Sequence, residues 1–390
     1  QAPRPHMDLQ RKKGHKTLGR CSMILYPRNT MNTRNNPLKM QVEKNLVDIV
    51  TIAGTRPEII KLADLVQLLD GHSNHALIYT GQHYSDNMKS IFFDELKIKP
   101  DYDLRCDTSD VTRLKENMLK FLQEMRPPHI LVYGDTNSSL AGALAAKEVG
   151  STLVHIEAGL RCFDLSVPEE RARIQIDSTS DYLFPPTELA RTFLSYEEIE
   201  KNVTVTGNLV VDVCRRLAKV ADEYGRHYDL PDNYLLLTMH RQENVDERER
   251  LEMLRKHLSG INHKIVFPIH PRTKNNLARY GITLPPNVIV IEPAGYLEFL
   301  YLLKNCRLVM TDSGGVQEEA IVLRRPCVTL RHVSERWETL LLKANVLFPL
   351  YRRDPLSNVI EMMLEAKIER NPYGENVAEK MLNLIMQITQ

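Results

Sequence analysis

The chain lacks the signatures of several common classes of protein. Its 390 residues contain no uninterrupted apolar run near the roughly 18 residues of a membrane-spanning helix, so no membrane partner is predicted. The six cysteines are scattered, without a C-x-x-C pair, and no H-E-x-x-H occurs, so neither a disulfide framework nor a metal site is predicted. No G-x-G-x-x-G follows the first predicted strand, and G-x-x-x-x-G-K-[ST] is absent. We therefore expect neither a dinucleotide cofactor nor ATP hydrolysis.

The chain also carries almost no net charge. The formal net charge is +1, so the chain as a whole does not predict a nucleic-acid partner. A hydrophobic content of 43% with 26% charged residues is typical of a globular protein, and the cysteine usage fits the reducing cytoplasm. Residues 1–46 differ: they are basic, have few apolar residues and follow no helical or strand period. We predict a disordered extension there, with a nucleic-acid-binding arm as the alternative.

From residue 47 onward, short β-rich apolar runs alternate with longer helical patterns. This alternation predicts an α/β fold with parallel sheets covered by helices on both faces. The pattern occurs twice, with a proline-containing linker near DLPDN, so we predict two Rossmann-like, doubly wound domains that face a cleft. The predicted domains are residues 47–210 and 211–370, followed by a C-terminal helix at 371–390.

Polar and charged segments follow nine of the predicted strands. They are GTRPE (54–58), GQH (81–83), GDTNS (134–138), HIEAGLR (155–161), TGN (206–208), MHRQEN (239–244), IHPR (269–272), TDSGG (311–315) and LRHVSER (330–336). In open parallel sheets, ligands bind beyond the carboxyl ends of the strands. We therefore expect these segments to line a functional cleft.

Two strand-end carboxylates are candidates for proton transfer. Glu157 follows the apolar stretch TLVHI, where burial requires a cationic partner such as Arg161 or Arg173. A purely structural ion pair is the alternative for Glu157. Asp135 ends LVYGD, where it is equally placed to cap the next helix.

Other candidates have similarly open roles. Glu169 lies at a predicted helix start, where the helix dipole alone accounts for acidic residues. His240 and His270 end strands and precede basic residues, a pattern that suits anion binding, general-base chemistry or a structural role. Arg56 precedes a proline at a predicted helix start, and it is either a phosphate ligand or a surface arginine.

The stretch TDSGGVQEEA (311–320) predicts a strand-to-helix turn with exposed backbone N–H groups. A serine and two glycines leave no bulk over these groups, so an anion such as phosphate can approach. An ordinary serine N-cap is the alternative. The following Glu318 and Glu319 would repel a diphosphate unless a carboxylate accepts hydrogen bonds from sugar hydroxyls. The turn therefore predicts a nucleotide site, with phosphate on the backbone and ribose on a glutamate.

As a set, these segments closely resemble the non-hydrolysing UDP-N-acetylglucosamine 2-epimerases. The matches keep the family's order from about residue 47 to 340 and are GTRPEIIK, GQH, GDTNS, HIEAGLR, VPEE, DSTSDYLF, TGN, HRQEN, HPR, DSGGVQEEA and SERWE. The resemblance implies a glycosyltransferase-B-like fold and a homodimer. It also implies that the second domain holds most of the UDP and that the last helix packs back on the first.

The resemblance also implies a reaction and its residues. UDP is eliminated to leave a glycal and then added back with protonation on the opposite face of C2, which needs a base and an acid but no redox cofactor. The implied catalytic positions are Asp135, Glu157, Glu169 and His240. The implied positions for UDP and sugar are Arg56, His270, Arg272, Ser313, Gly314, Gly315 and Glu319, with His240 near the diphosphate. A second, activating UDP-N-acetylglucosamine would bind a regulatory part lined by Gln82 and His83.

Two segments depart from the family's pattern. Ala172 replaces the usual asparagine after Pro-Glu-Glu, and the usual T-E-R-P-E reads SERWE, with Trp337 in place of proline. The segment CFDLSVPEE resembles epimerases of a modified sugar, such as UDP-2,3-diacetamido-glucuronic acid, as much as the main branch. That substrate, a hydrolysing relative, a glycosyltransferase and a non-catalytic nucleotide-sugar sensor are the open alternatives.

Overall fold

A computed structural model describes residues 24–25, 47–81, 93 and 96–390 of the chain. The candidate regulatory residues Gln82 and His83 lie outside the described residues. Within residues 1–46, the description covers only a two-residue strand, β1 (Ile24–Leu25), so the disorder of this extension stays a prediction.

The first half of the chain forms a seven-stranded sheet. Its further strands are β2 (Ile49–Ala53), β3 (His75–Tyr79), β4 (Tyr102–Asp103), β5 (His129–Tyr133), β6 (Thr152–Ile156) and β7 (Tyr182–Phe184). Its helices are α1 (Arg56–His72), α2 (Val111–Met125), α3 (Asn137–Val149), α4 (Pro168–Thr179) and α5 (Glu188–Tyr196). All neighbouring strands run parallel except β1, which pairs antiparallel with β4. The central strands are buried along their whole length, as expected for a parallel sheet covered on both faces.

The second half forms a six-stranded parallel sheet. Its strands are β8 (Leu235–Thr238), β9 (Ile265–Pro268), β10 (Val288–Ile291), β11 (Leu308–Thr311), β12 (Cys327–Thr329) and β13 (Asn345–Leu347). The helices that precede and surround it are α6 (Val210–Ala218), α7 (Ala221–Gly225), α8 (Gln242–Val245), α9 (Arg248–Ser259), α10 (Pro271–Tyr280), α11 (Tyr296–Asn305), α12 (Gly314–Val322), α13 (Trp337–Leu341) and α14 (Leu356–Leu364). The last helix is α15 (Val377–Ile388).

Apart from the added strand β1, the two sheets share one strand order, and this order positions the site. The first runs β1-β4-β3-β2-β5-β6-β7 and the second β10-β9-β8-β11-β12-β13. In each sheet the connections reverse direction at one pair of neighbouring strands, β2 and β5 in the first and β8 and β11 in the second. Such a reversal leaves a crevice at the carboxyl ends of the two strands, where ligands bind. The predicted fold of two doubly wound α/β units is confirmed.

The last helix returns to the first half of the chain. Val377, Met381 and Ile385 of α15 are buried in the same apolar cluster as Ile59 and Leu62 of α1. The backbone N–H of Ala378 donates to Asp212 Oδ2 at 2.8 Å, which fixes the start of α15 beside α6. The domain limits at residues 210 and 370 stay predictions. None of the described helices has the length and apolar character needed to cross a membrane.

Candidate active site

Two adjoining cavities lie between the facing edges of the two sheets. The first has a volume of about 230 Å³ and the second about 730 Å³. Both are lined by Asp135, Thr136, Glu169, His240 and Arg241, so they form one continuous cleft. Apart from Glu169, which lies at the start of α4, these shared residues follow the ends of strands in both halves, as the sequence predicts.

Glu58 fixes the wall of the cleft at the start of α1. Its carboxylate accepts hydrogen bonds from the backbone N–H groups of Gly54 at 3.0 Å and Thr55 at 2.7 Å. It also accepts from the hydroxyls of Thr136 and Ser139, each at 2.7 Å. Burial raises the pKa of Glu58, and these hydrogen bonds oppose the rise. One carboxylate thus ties the loop after β2 to the loop after β5.

Glu157 lies in the first cavity with two cationic partners. Lys61 Nζ is 3.2 Å from Oε2, and Arg336 Nη2 is 2.7 Å from Oε1. Burial raises the pKa of Glu157, but the attraction of Lys61 and Arg336 outweighs burial and lowers the pKa to about 2. The residue has φ of 69°, a left-handed conformation that is strained for a residue with a side chain. Glu157 is therefore held as a carboxylate in a fixed orientation.

The predicted partners of Glu157 were wrong. Arg161 instead pairs with Asp177 at 2.7 Å, and Arg173 pairs with Asp135 at 2.7 Å. Both arginines are closer than Lys61 and Arg336 in sequence, but they belong to neighbouring pairs. Proximity along the chain favoured them, whereas the fold brings the true partners from distant segments.

A buried charge cluster extends from Glu157 into the second half of the chain. We define it by five residues, which are Lys61, Glu157, Glu318, Glu335 and Arg336. Glu318 Oε2 is 2.7 Å from Lys61 Nζ, and Glu318 Oε1 is 2.5 Å from Arg336 Nε. Arg336 Nη1 is 3.2 Å from Glu335 Oε1, and Arg336 with other arginines holds the pKa of Glu335 well below its usual range despite burial. The cluster therefore crosses from the first half of the chain to the second, with each buried charge paired.

Sequence reasoning did not single out Lys61 and Arg336 as site residues. Lys61 lies in α1 between the buried residues Ile59 and Leu62 and is itself buried. A lysine on the buried side of a helix needs an anionic partner, and that is the signal that would have identified it. Arg336 has no comparable local signal, since its neighbours Glu335 and Glu338 are compatible with an exposed ion pair.

Asp135 faces both cavities and is held by Arg173. The N-cap of α3 is Thr136, whose hydroxyl accepts from the N–H of Ser139 at 3.1 Å, so Asp135 is not the capping residue. Arg173 donates through Nε to Asp135 Oδ2 at 2.9 Å and through Nη1 to Glu170 Oε2 at 2.6 Å. The arginine orients the Asp135 carboxylate toward the cleft.

The two glutamates at the start of α4 have separate roles. Glu170 is buried and accepts from the backbone N–H groups of Cys162 at 3.0 Å and Phe163 at 2.8 Å, which shapes the preceding loop. Glu169 lines both cavities and lies 3.2 Å from Arg241 Nη1 of the second half. Glu169 therefore joins Asp135 and Glu157 in the first cavity, and the three predicted carboxylates are brought together.

The predicted diphosphate turn faces the same cavity. Ser313, Gly314 and Gly315 line it, and α12 begins at Gly314. The Ser313 side chain makes no capping hydrogen bond to this helix, so the first turn keeps N–H groups for a ligand. Asp312 accepts from the backbone N–H groups of His240 at 3.1 Å and Arg241 at 2.9 Å, which fixes the His240 segment beside the turn. The turn can therefore accept an anion, and His240 is a protonatable group beside it.

Arg272 extends the site into the second cavity, and His270 lies beside His240 without lining either cavity. The rings of His240 and His270 lie with centroids 5.4 Å apart, and His270 Nδ1 accepts from the N–H of Arg272 at 3.2 Å. Partial burial lowers the pKa of His270, and His240 adds to this effect. Arg272 lines the second cavity and is oriented by Asp246, with Nε to Oδ1 at 2.7 Å.

Arg56 and Glu319 are outside the walls of these two cavities. Arg56 begins α1 with an exposed side chain. Glu319 is buried in α12, where the Tyr296 hydroxyl donates to Oε1 at 3.0 Å. Their contact with UDP therefore stays a prediction from the resemblance.

The burial of Glu319 leads to a prediction for how the stability of the protein depends on pH. Burial raises its pKa from 4.5 to about 7, so the folded protein prefers the neutral carboxyl and loses stability as the pH rises from about 4.5 through 7. Glu319→Gln stays neutral, so we expect it to exceed the wild type in free energy of unfolding by about 1–3 kcal/mol at pH 8. The difference in stability should fall below about 1 kcal/mol at pH 5. Urea denaturation at both pH values measures this, with Glu252→Gln on the surface as control. Parallel stability profiles of Glu319→Gln and the wild type would contradict the assigned pKa.

Comparisons with known proteins place the chain in a family. A sequence profile described as UDP-N-acetylglucosamine 2-epimerase matches residues 68–386. A UDP-N-acetylglucosamine 2-epimerase of Methanocaldococcus jannaschii is 42% identical over 345 residues, which cover 83% of this chain and 94% of the relative. A UDP-2,3-diacetamido-2,3-dideoxy-D-glucuronate 2-epimerase of Pseudomonas aeruginosa is 39% identical, over 77% of this chain and 87% of the relative.

A solved structure agrees with these matches. The crystal structure of the Methanocaldococcus jannaschii UDP-GlcNAc 2-epimerase in complex with UDP-GlcNAc and UDP superimposes with a TM-score of 0.81 at 40% identity. The superposition covers 87% of this chain and 99% of that one. The chain therefore belongs to the UDP-N-acetylglucosamine 2-epimerase family of isomerases.

Proposed function

We propose that the cleft interconverts UDP-N-acetylglucosamine and UDP-N-acetylmannosamine. One observation carries this proposal: the helix turn Ser313, Gly314 and Gly315 lines the same cavity of about 230 Å³ as Asp135 and Glu157. A diphosphate on the turn would place the attached sugar beside acidic side chains. The cavity therefore supplies an anion site and proton-transfer groups on the walls of one space.

The chemistry follows from the sugar itself. The C2 proton is not next to a carbonyl, so its removal needs a leaving group at C1, which UDP supplies. Asp135, Glu157 and Glu169 provide carboxylates for proton removal and return at the two faces of C2. His240, beside the diphosphate turn, would stabilise the departing UDP. The inter-domain contacts would exclude water, which otherwise would add to the glycal and release the free sugar.

The second cavity is the proposed site of a further nucleotide sugar. It is lined by His240, Arg241 and Arg272, which offer cationic and hydrogen-bonding groups next to the first cavity. The related Methanocaldococcus jannaschii structure holds both UDP-GlcNAc and UDP. We propose that UDP-N-acetylglucosamine activates the enzyme from this cavity, and Arg272→Ala should then weaken activation more than it changes the first binding event.

A homodimer and a cytoplasmic location are part of the same proposal. The resemblance supports the dimer, which light scattering on the purified chain tests directly. The cytoplasmic location is supported by the free thiols of Cys106, Cys162, Cys214, Cys306 and Cys327 among the described residues.

A proton-exchange experiment tests the reaction. The protein is incubated in deuterated water with UDP-N-acetylglucosamine or with UDP-2,3-diacetamido-glucuronic acid, and deuterium at C2 is measured by mass spectrometry and NMR. Exchange with the first substrate and reversible formation of UDP-N-acetylmannosamine are expected. Exchange only with the second would reassign the substrate, and accumulation of free sugar would indicate a hydrolase. Binding without exchange would indicate a sensor, and UDP release only with an added acceptor would indicate a glycosyltransferase.

A substitution at Gly315 tests UDP binding by the proposed diphosphate turn without disturbing the fold. A Cβ at Gly315 would meet no atom within 4 Å, whereas a Cβ at Gly314 would lie 2.6 Å from Glu335 Oε1. Gly315→Val is therefore expected to weaken UDP binding by at least about tenfold, because the side chain would occupy the space of an anion above the helix end. The melting temperature should change little. Calorimetric titration with UDP measures the effect, and unchanged affinity would place the diphosphate elsewhere.

A further inference from the structure

Trp337 joins the two halves of the chain at the edge of the cleft. It is the single tryptophan of the chain and follows Arg336 directly. Its indole Nε1 donates to the backbone oxygen of Arg161 at 2.7 Å, and its ring centroid lies 6.2 Å from that of Phe163. A proline, which the related motif has at this position, offers neither a donor nor an aromatic ring. The contact therefore depends on the indole of Trp337.

Phe163, the aromatic partner of Trp337, combines high exposure with an unusual backbone conformation. It is 63% exposed and has φ of 58°, in the left-handed region that disfavours residues with a side chain. Its ring also contacts Phe193 of α5, at 5.1 Å between centroids with the rings nearly perpendicular, and its backbone N–H donates to Glu170. Strain of this kind persists where the surroundings determine the conformation, and it often marks a functional segment.

Further contacts follow the same seam. His332 Nε2 lies 3.1 Å from Asp164 Oδ2, and the Thr187 hydroxyl donates to Glu338 Oε1. Residues 161–164 lie between Glu157 and Glu169, and residues 332–338 contain Arg336. Residues 332–338 therefore make both the inner ion pair of Arg336 with Glu157 and the outer contacts of Trp337 with residues 161–164, which follow Glu157 closely in the chain.

We propose that Trp337 is a positioning residue that fixes Arg336 against Glu157 by holding residues 161–164 across the cleft. This proposal rests on the proposed epimerase function only for its kinetic measurements. Arg336 and Trp337 are adjacent, so loss of the indole contact lets the guanidinium move away from the carboxylate. A displacement of about 1 Å at such a site is enough to slow a reaction by up to about 100-fold.

The kinetic test uses graded variants of Trp337. Trp337→Phe removes only the donor, whereas Trp337→Ala removes the donor and the ring. We expect kcat to fall about tenfold in Trp337→Ala and less in Trp337→Phe, with a smaller change in KM. Tyr196→Ala is the matched control, because Tyr196 is an exposed aromatic residue of α5 on the surface near Phe193.

The pH dependence of kcat distinguishes a positioning role of Trp337 from a general loosening of the structure. Glu157 faces Lys61 of α1, Tyr133 of β5 and Arg336, and it shares its cations with Glu318 of α12. When Arg336 moves away, the pKa of Glu157 rises, so the acid limb of the kcat profile should shift to higher pH by about one unit. Lys61 stays in place and limits the shift. A wild-type rate and acid limb in Trp337→Ala would overturn the proposal.

The fluorescence of Trp337 tests the contact without catalysis. Phe163→Ala removes the neighbouring ring and keeps the single tryptophan, so acrylamide quenching of its selectively excited fluorescence should increase about twofold over the wild type. UDP, which we expect to hold the cleft closed, should reduce quenching in the wild type and not in Phe163→Ala. Equal quenching of Phe163→Ala and wild type would overturn the proposal. If no UDP-sugar undergoes C2 exchange, the proposed function fails, and fluorescence still decides whether Trp337 holds the loop.

Discussion

Glu157→Gln is expected to lower the rate of C2 exchange by about 10³-fold while UDP affinity stays within about threefold. Glutamine keeps the size of the side chain but cannot accept a proton from C2 or return one. The turn proposed to bind the diphosphate of UDP lies in the other half of the chain and is unchanged. Rapid-quench measurement of deuterium at C2, together with calorimetric titration of UDP, separates the two effects.

Two further variants make this result specific. Asp135→Asn should cause a loss of the same order, because its carboxylate lines the same cavity. Glu188→Gln is the control, since Glu188 forms an exposed pair with Arg191 on α5. Near-normal exchange in Glu157→Gln or Asp135→Asn would show that the residue is misassigned. A parallel loss of UDP binding would instead indicate collapse of the cleft.

Lys61→Met is expected to destabilise the protein by about 3–5 kcal/mol at neutral pH. Lys61 lies between Glu157 and Glu318, at 3.2 and 2.7 Å, and its removal leaves two buried carboxylates with Arg336 as their shared cation. Methionine fills a similar volume, so the loss reports the charge and not a cavity. Chemical denaturation measures the free energy of unfolding.

The same variant should show a particular pH dependence. Burial raises the pKa of Glu318, and Arg336 and Lys61 oppose the rise, so removing Lys61 raises it further. A carboxyl whose folded pKa is raised loses stability as the pH rises through that pKa, so the deficit of Lys61→Met should shrink on lowering the pH. Lys147→Met is the control, because its exposed pair with Asp181 contributes at most about 1 kcal/mol. A deficit independent of pH would indicate that packing, not charge, dominates.

The fold and the location of the site follow from local features of the sequence. Alternation of buried strands and helices predicted both sheets, and polar segments at strand ends predicted the cleft. Asp135 and Glu157 were placed correctly at its edge because a strand end is a local signal, and Glu169 because a proline followed by acidic residues marks a helix start. The same holds for the serine-glycine turn at the start of α12.

The electrostatic partners could not be predicted in the same way. Lys61 and Arg336 are 96 and 179 residues from Glu157 along the chain, and no period links them. Their pairing depends on how the two sheets face each other, which local patterns do not encode. The role of Trp337 depends equally on the relative position of two distant segments.

The packing of α15 against α1 has a consequence for folding during synthesis on the ribosome. Translation delivers the first sheet early, but its outer helix gains this apolar cover only after the final residues of the polypeptide emerge. The first half of the nascent chain therefore exposes this apolar face of α1 during most of elongation. Exposed apolar surface favours binding by chaperones. A premature stop codon shortly before residue 377 would leave that surface permanently bare, although both sheets would be complete.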